Sequence, residues 1–561
     1  MQKILQEEQI DTDVLVVGAG AGGIMAAISA ADRGVGVLIC DKGNARRSGG
    51  IATGNDHFMC YIPEIHGSAM RKKFIRDILN MGMFDEDLVA KFVDHTYEVV
   101  QKWESWGVNM KTNGHYEFVG QTWPGTQGKM GIPGKTDRKA LHFSDNNVCA
   151  KLEKQMKDRN IRIMNRVMVT ELLLDNNGRI IGAAGISTRE PKLYTFRAKC
   201  IVFNTGGVNP NRLYPPPHLI NYYMAHPGTG DGDIMAYKAG ADLQNAELCG
   251  RQVCLRFGPW NGKGTWIGVV RDSEGNAIAP PYLSKPEPEI GDPAIHNADA
   301  IDHVWETGKA PVWVDPREIS QEDEQYMRWG FESESLQPFL SWVEQEKIDI
   351  RKTRFEFVPM QLGTYLQARI DTNFRTTIDG LYAIFNRHLP WSAVGGLIAG
   401  EAAAEDTKNY SFSDLAKRHN KVLQLKHEYE GILNYEGTQF AGWRESQWAI
   451  WQIMHCYALP PHRTENTLKA GYNHLLRLRE KIKRILKAHN QHDLYHCLEI
   501  LNLLDAAELV LLAVNERKES RDQSRRQDYP FINPQLNKFL VVNKKNGSPS
   551  FRWENITRLS R

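Results

Sequence analysis

Residues 13–41 read DVLVVGAGAGGIMAAISAADRGVGVLICD, and the order of features in this stretch decides the fold. A short β-branched run, 13–17, leads into GAGAGG. A small-residue helical pattern follows, and then a second apolar run that ends on Asp41. Gly18, Gly20 and Gly23 fit the spacing G-x-G-x-x-G, with Gly22 beside them. The first glycine allows a tight turn, the second lets main chain approach a pyrophosphate, and the third lets helix pack on strand. The helix N-terminus supplies free N–H groups and the positive end of a dipole. Asp41 follows at the distance where a carboxylate accepts hydrogen bonds from a ribose. Together these features predict a dinucleotide-binding unit.

The next residues select the dinucleotide. After Asp41 and Lys42, an NAD-binding domain would continue to its next strand and helix. This chain lays down GNARRSGGIATG over 43–54 instead. Glycine permits close approach of backbone to a flat ligand. The loop suits main-chain N–H groups of Ser48, Gly49 and Gly50 meeting an isoalloxazine ring, with Arg46 or Arg47 near phosphate. The expected cofactor is FAD.

The bulk numbers exclude other classes. The chain has 561 residues, with 69 basic against 67 acidic, so no polyanion-binding field arises and nucleic acid is not an expected partner. The first residues, MQKILQEEQIDTD, lack the apolar core of a signal segment. The run LNLLDAAELVLLAV carries Asp505 and Glu508, and is short for a bilayer, so it reads as a buried helix. A cytoplasmic protein is expected. None of the eight cysteines forms a C-x-x-C pair, so no zinc or iron–sulfur site is expected in this chain.

The pieces RRSGGIATG (46–54), DEDLVAKFVDHTYEVVQKWESWGV (85–108), ELLLDNNGRIIGAAGISTREPKLYTFRAKCIVFNTGG (171–207) and GTGDGDIMAYKAGA (228–241) resemble the fumarate reductase/succinate dehydrogenase flavoprotein superfamily. Within it they are most similar to the alpha subunits of dissimilatory adenylylsulfate reductases, as is the tail SRRQDYPFINPQLNKFLVVNKKNG (524–547). The resemblance implies a Rossmann-like α/β domain of three-layer ββα type, an inserted α+β capping domain and a C-terminal helical domain. It implies an FAD held non-covalently, because Arg46 and Arg47 stand where flavinylated members carry histidine. It implies electron exchange with a ferredoxin-like iron–sulfur subunit in a hetero-oligomer, and a small anionic substrate. Met168, Thr205, Gly206, Asp231 and Gly395 join the cofactor-binding candidates, Asp231 as a cap of its helix and Gly395 at the opening of another.

Arg256 matches an arginine that contacts substrate in adenylylsulfate reductases, with Arg251 a rival across small gaps. His57 and His388, with Arg387, are further cationic candidates. Three positions depart from that family: Met59 replaces an asparagine, Ser144 a glutamate and Tyr223 a tryptophan, which implies an altered substrate pocket. A fumarate-reductase-type enzyme and an electron-relay subunit without a substrate of its own are the alternatives.

The expected divisions are 1–245 and 358–410 for the FAD domain, 246–357 for the cap, 411–515 for the helical domain and 516–561 for a tail. Asn177-Gly178 predicts a type I′ hairpin between strands 166–174 and 179–186. Leu468, Tyr472, Leu475, Leu478, Ile482 and Ile485 predict an amphipathic helix. Arg517–Arg526 reads as a solvated charged face, with docking of an acidic partner as the alternative.

Overall fold

The run 13–17 is the buried half of a longer strand, Gln6–Val17. In the computed structural model it pairs in parallel with Val37–Asp41 on one side and with Lys192–Phe203 on the other. The structure describes residues 3–53, 57–79, 83–112, 114–119, 140–143, 145, 147–215, 227–259, 266, 268–278, 298–317, 319–333, 336–385, 388–459, 462–521 and 524–558. Ser144, Tyr223 and Arg387 lie outside them.

The central sheet runs, in order, Arg162–Asn165, Val37–Asp41, Gln6–Val17, Lys192–Phe203, Ile180–Ser187 and Val167–Leu174. The long strand Lys192–Phe203 changes partner along its length. Its first part pairs antiparallel with Ile180–Ser187, and its last residues pair in parallel with Leu381–Ala383. A parallel Rossmann-like layer and an antiparallel meander thus share one strand, with helices covering the parallel face.

Helix Ala21–Ala31 packs along helix Leu389–Asp406. The contact is close because glycines line it. A Cβ at Gly396 would stand 2.1 Å from Gly22 O, and one at Gly400 would stand 2.3 Å from Ala26 O. Gly395 does not open its helix, contrary to the expectation from sequence. The helix starts at Leu389, and Gly395 lies further along, where a Cβ would strike the Phe374 ring at 2.7 Å.

The predicted hairpin forms with a different turn. Gly178 has φ 83°, but Asn177 is not among the left-handed residues that a type I′ turn requires. Asp175 Oδ1 accepts from Asn177 N and Arg179 N, and Gly178 N donates to Asp175 O. The aspartate side chain organises the loop and leaves one left-handed residue, the glycine.

The cap is a four-stranded antiparallel sheet in the order Cys249–Leu255, Phe355–Thr364, Val312–Asp315, Val269–Arg271. It has its own core, in which Trp266 meets Phe331, Phe339, Phe355 and Phe357. Its exit strand straddles the boundary expected at 357.

Beyond it lie helices His419–Leu433, Trp443–Ala458, Glu465–Ile485 and Gln491–Glu516. Leu468, Leu475 and Ile482 are buried. Helix Gln491–Glu516 is buried along most of its length, with Asp505 and Glu508 paired to Arg479. Among the described residues no helix is long and apolar enough to cross a membrane. The expected tail is a hairpin, Lys538–Lys545 with Ser548–Asn555, that joins Leu243–Gln244 and Gln367–Ala368 in one sheet.

The arginines at the two ends of the charged run 517–526 do not lie on a solvated face. Arg517 and Arg526 are fully buried. Arg517 pairs with Glu247 and Glu519 and donates to the carbonyls of Leu536 and Lys538. Arg526 pairs with Asp528 and donates to Val514 O. Arg517 thus ties the start of the hairpin to Glu247, and Arg526 ties the chain after the helix back to its C-terminal end.

Candidate cofactor and substrate site

The fingerprint forms the turn that the glycine spacing predicts. Gly18 has φ 96°, and its N–H donates to Cys40 O at 2.7 Å. A Cβ at Gly18 would strike Asn204 O at 2.3 Å, and one at Gly23 would stand 1.8 Å from Gly18 O. Gly20 is the N-cap of helix Ala21–Ala31, and no side chain caps that helix. Its first-turn N–H groups are left for a ligand, as a pyrophosphate requires.

Four backbone segments meet here. A Cβ at Gly49 would lie 2.8 Å from Gly20 Cα, so the loop holding Ser48, Gly49 and Gly50 lies on the fingerprint. A Cβ at Gly22 would lie 2.6 Å from both Asn204 Oδ1 and Ser392 O, which brings in the residues before Thr205 and the start of helix Leu389–Asp406. At Gly50 and Gly206 an added Cβ would meet nothing within 4 Å. Crowded glycines surrounding open ones make a cradle of main chain that fits a flat cofactor.

Asp41 ties the cradle together. Its Oδ2 accepts from Ala19 N at 2.8 Å, and its Oδ1 accepts from Gly43 N and Ser48 Oγ, each at 2.7 Å. Thr205 Oγ1 accepts from Gly232 N at 2.8 Å, holding the start of helix Asp231–Ala239 against the strand end. Met168 is buried on strand Val167–Leu174. Arg46 and Arg47 are exposed on the short turn Ala45–Arg47.

Two cofactor candidates, Asp231 and Lys42, have protein partners. Asp231 does not cap its helix, whose N-cap is Gly230. It accepts from Lys42 Nζ, Thr229 Oγ1 and Asn502 Nδ2. Lys42 reaches Asp231 at 2.6 Å and Glu499 at 2.7 Å. Glu499 also accepts from Arg212 and faces His496 Nδ1 at 2.8 Å. Sequence reasoning missed Glu499 and Arg212. The only signal was an acid inside an apolar helix.

The two arginine candidates stand at opposite ends of one strand. Cys249 pairs with Thr364, whose Oγ1 donates to Val208 O at 3.0 Å, so this end of the cap abuts the 205–208 loop. Arg251 lies two residues on, opposite Gln361, fully buried and paired with Asp302. Arg256 lies five residues further, about 16 Å along a strand. It is over a third exposed, pairs with Glu356 at 2.7 Å and stacks over Phe257 and Trp305. The geometry counts against Arg256 as a group beside the cradle.

His57 is buried on strand His57–Met59, edge-on to His142 with ring centroids 5.7 Å apart, and its strand packs on helix Leu389–Asp406. Met59 is buried on the same strand. His388 is the half-buried N-cap residue of that helix, and its side chain does not cap it.

Comparison with known proteins agrees with this geometry. Residues 13–386 match the FAD binding domain family, and 450–558 match the fumarate reductase flavoprotein C-terminal family. A chain of the fumarate reductase (CoM/CoB) of Methanothermobacter marburgensis is 24% identical, over 96% of this chain and 98% of its own. Quinol fumarate reductase of E. coli superposes with TM-score 0.80 at 20% identity, covering 99% of this chain and 98% of that one. Adenylylsulfate reductase of Archaeoglobus fulgidus gives 0.78 at 21% identity, covering 100% and 99%. The chain therefore belongs to the FAD binding domain family, within the fumarate reductase/succinate dehydrogenase flavoprotein superfamily, and is an FAD-dependent oxidoreductase.

Proposed function

We propose that this chain is the flavin-bearing subunit of an enzyme that exchanges electrons with an iron–sulfur partner and reduces or oxidises a small anionic substrate. The observation that carries the reading is Arg251, a buried guanidinium at the end of the cap that meets the 205–208 loop. A guanidinium is always charged and offers a fixed fork to carboxylate, sulfonate or phosphate. FAD supplies two-electron chemistry when bound. Gly49, Gly206 and their neighbours support it with main chain, Asp41 orients the loops, and Arg251 anchors the anion. The adenylylsulfate branch is supported by the sequence pieces that resemble it, from the RRSGGIATG loop to the tail. The fumarate-type reading is supported by the names of relatives that span the whole chain.

Assay of the purified complex separates the two. Reduced viologen should drive adenylylsulfate to AMP and sulfite, or fumarate to succinate. Turnover of neither, with rapid flavin reduction by the partner, would overturn the reading in favour of a relay.

Two further results are expected. Acid precipitation should release all the flavin, since Arg46 and Arg47 occupy the place of a flavinylated histidine. Flavin that stays with the denatured polypeptide would contradict this. The chain purified alone should contain flavin and essentially no iron. Among the described residues no group of three or more His, Cys, Asp or Glu is placed to hold a metal. Stoichiometric iron and acid-labile sulfide in the isolated chain would refute the need for a partner.

A further inference from the structure

We propose that Glu499, on the buried helix Gln491–Glu516, is a positioning residue for FAD: it anchors Lys42 and the Asp231 loop in the arrangement that receives the cofactor. The inference rests on FAD binding alone, and its test uses no substrate, so it stands or falls apart from the substrate reading.

Lys42 directly follows Asp41, whose carboxylate joins the fingerprint to the Ser48 loop. Any displacement of residues 41–43 is felt by both. The Lys42 ammonium has three N–H groups, and three oxygens receive them: Thr229 Oγ1 at 3.0 Å, Asp231 Oδ2 at 2.6 Å and Glu499 Oε1 at 2.7 Å. The second Glu499 oxygen accepts from Arg212 Nη1 and Nη2 at 3.2 and 3.3 Å. Asn502, one turn along the same helix, donates to Asp231 at 2.9 Å. One helix therefore secures two FAD-side segments, through a contact that spans 457 residues of sequence. Glu499 lies outside the residues that match the FAD binding domain.

The side chains of Glu499 and Arg212 are fully buried, and those of Asp231 and Lys42 nearly so. A buried ion pair contributes little net stability, but removing one member leaves the other uncompensated. Without Glu499 the cheapest relief is for Lys42 to turn toward water, which drags 41–43 and loosens the loops that Asp41 joins. Burial alone would raise the Glu499 carboxyl, yet Lys42 and Arg212 hold it well below the usual carboxylate range. Burial opposes the charge on Lys42, yet Asp231 and Glu499 hold its ammonium above its ordinary value.

The test is titration of apoprotein with FAD, followed by flavin fluorescence, together with thermal melting. Glu499→Gln and Lys42→Met should each weaken FAD binding about tenfold or more. The double variant should be no worse than the weaker single, because both break the same Lys42–Glu499 pair. Lys42→Arg, which keeps the charge, should restore affinity to within about threefold of wild type. Glu247→Gln breaks a comparably buried pair with Arg517. It should lower the melting temperature but leave FAD affinity within about twofold. The proposal is overturned if Glu499→Gln binds FAD within twofold of wild type, if the two losses add, if Lys42→Arg binds no better than Lys42→Met, or if Glu247→Gln weakens FAD as much. Should Glu499→Gln fail to fold, Asn502→Ala takes its place. It should weaken FAD about threefold, and unchanged affinity overturns the idea.

Discussion

Replacing Arg251 with alanine is expected to lower kcat/KM by about 30- to 4,000-fold while FAD content stays at one per chain. The size follows from removing one side of a desolvated charged contact, about 2–5 kcal/mol, at about 1.4 kcal/mol per factor of ten. Arg251 is buried and paired with Asp302, at the end of the capping strand that touches the 205–208 loop. Arg256→Ala should change kcat/KM by less than about threefold, since its partner Glu356 sits on the same sheet and Arg256 is over a third exposed. Steady-state kinetics on the substrate that the wild-type complex accepts, with flavin quantified in each preparation, decides between them. Normal turnover by Arg251→Ala alongside failure of Arg256→Ala would reverse the assignment. Loss of FAD from Arg251→Ala would make that arginine part of the flavin site instead.

The second large effect is expected at Gly23. Alanine there would place a methyl carbon 1.8 Å from Gly18 O. Gly18 cannot yield, because its N–H is bonded to Cys40 O and its left-handed backbone forms the turn. The helix Ala21–Ala31 must lift instead, carrying its first-turn N–H groups away from the pyrophosphate. FAD affinity should fall by about 100-fold or more, from several weakened charge-assisted hydrogen bonds at once. The purified protein should be nearly colourless. Gly431 supplies the comparison, since a Cβ there meets nothing within 4 Å. At this exposed position of helix His419–Leu433, Gly431→Ala should keep full colour and gain up to about 1 kcal/mol of stability. A yellow Gly23→Ala protein with wild-type flavin content would show that the turn and helix can part without loss of the cofactor.

The FAD half was legible because its constraints are local. A strand, a glycine turn and a helix dictate residue types at fixed short spacings, and Asp41 follows within one crossover. The hairpin was legible as a hairpin but not as a turn type, because the Asp175 side chain competes for the loop N–H groups. The choice between Arg251 and Arg256 depended on where the capping strand meets the loop after Phe203, which no local pattern reports. That Lys42 is tied to Asp231 and to Glu499 was not legible, because Glu499 lies 457 residues along the chain. The charged run at 517–526 misled for the same reason. Arg517 is compensated by Glu247, 270 residues away, so charge density alone could not distinguish a buried staple from a wet surface.

The cap enters and leaves the FAD domain on two strands, Cys249–Leu255 and Phe355–Thr364, that are hydrogen-bonded neighbours from Cys249↔Thr364 to Leu255↔Phe357. Its two covalent ties therefore lie side by side, as the two ends of a cassette do. Such a unit can be cut at one place and replaced by another of the same gauge without rerouting the rest of the chain. On the role proposed for Arg251, a change of substrate would need only the cassette rewritten, while the FAD-binding half stays as it is.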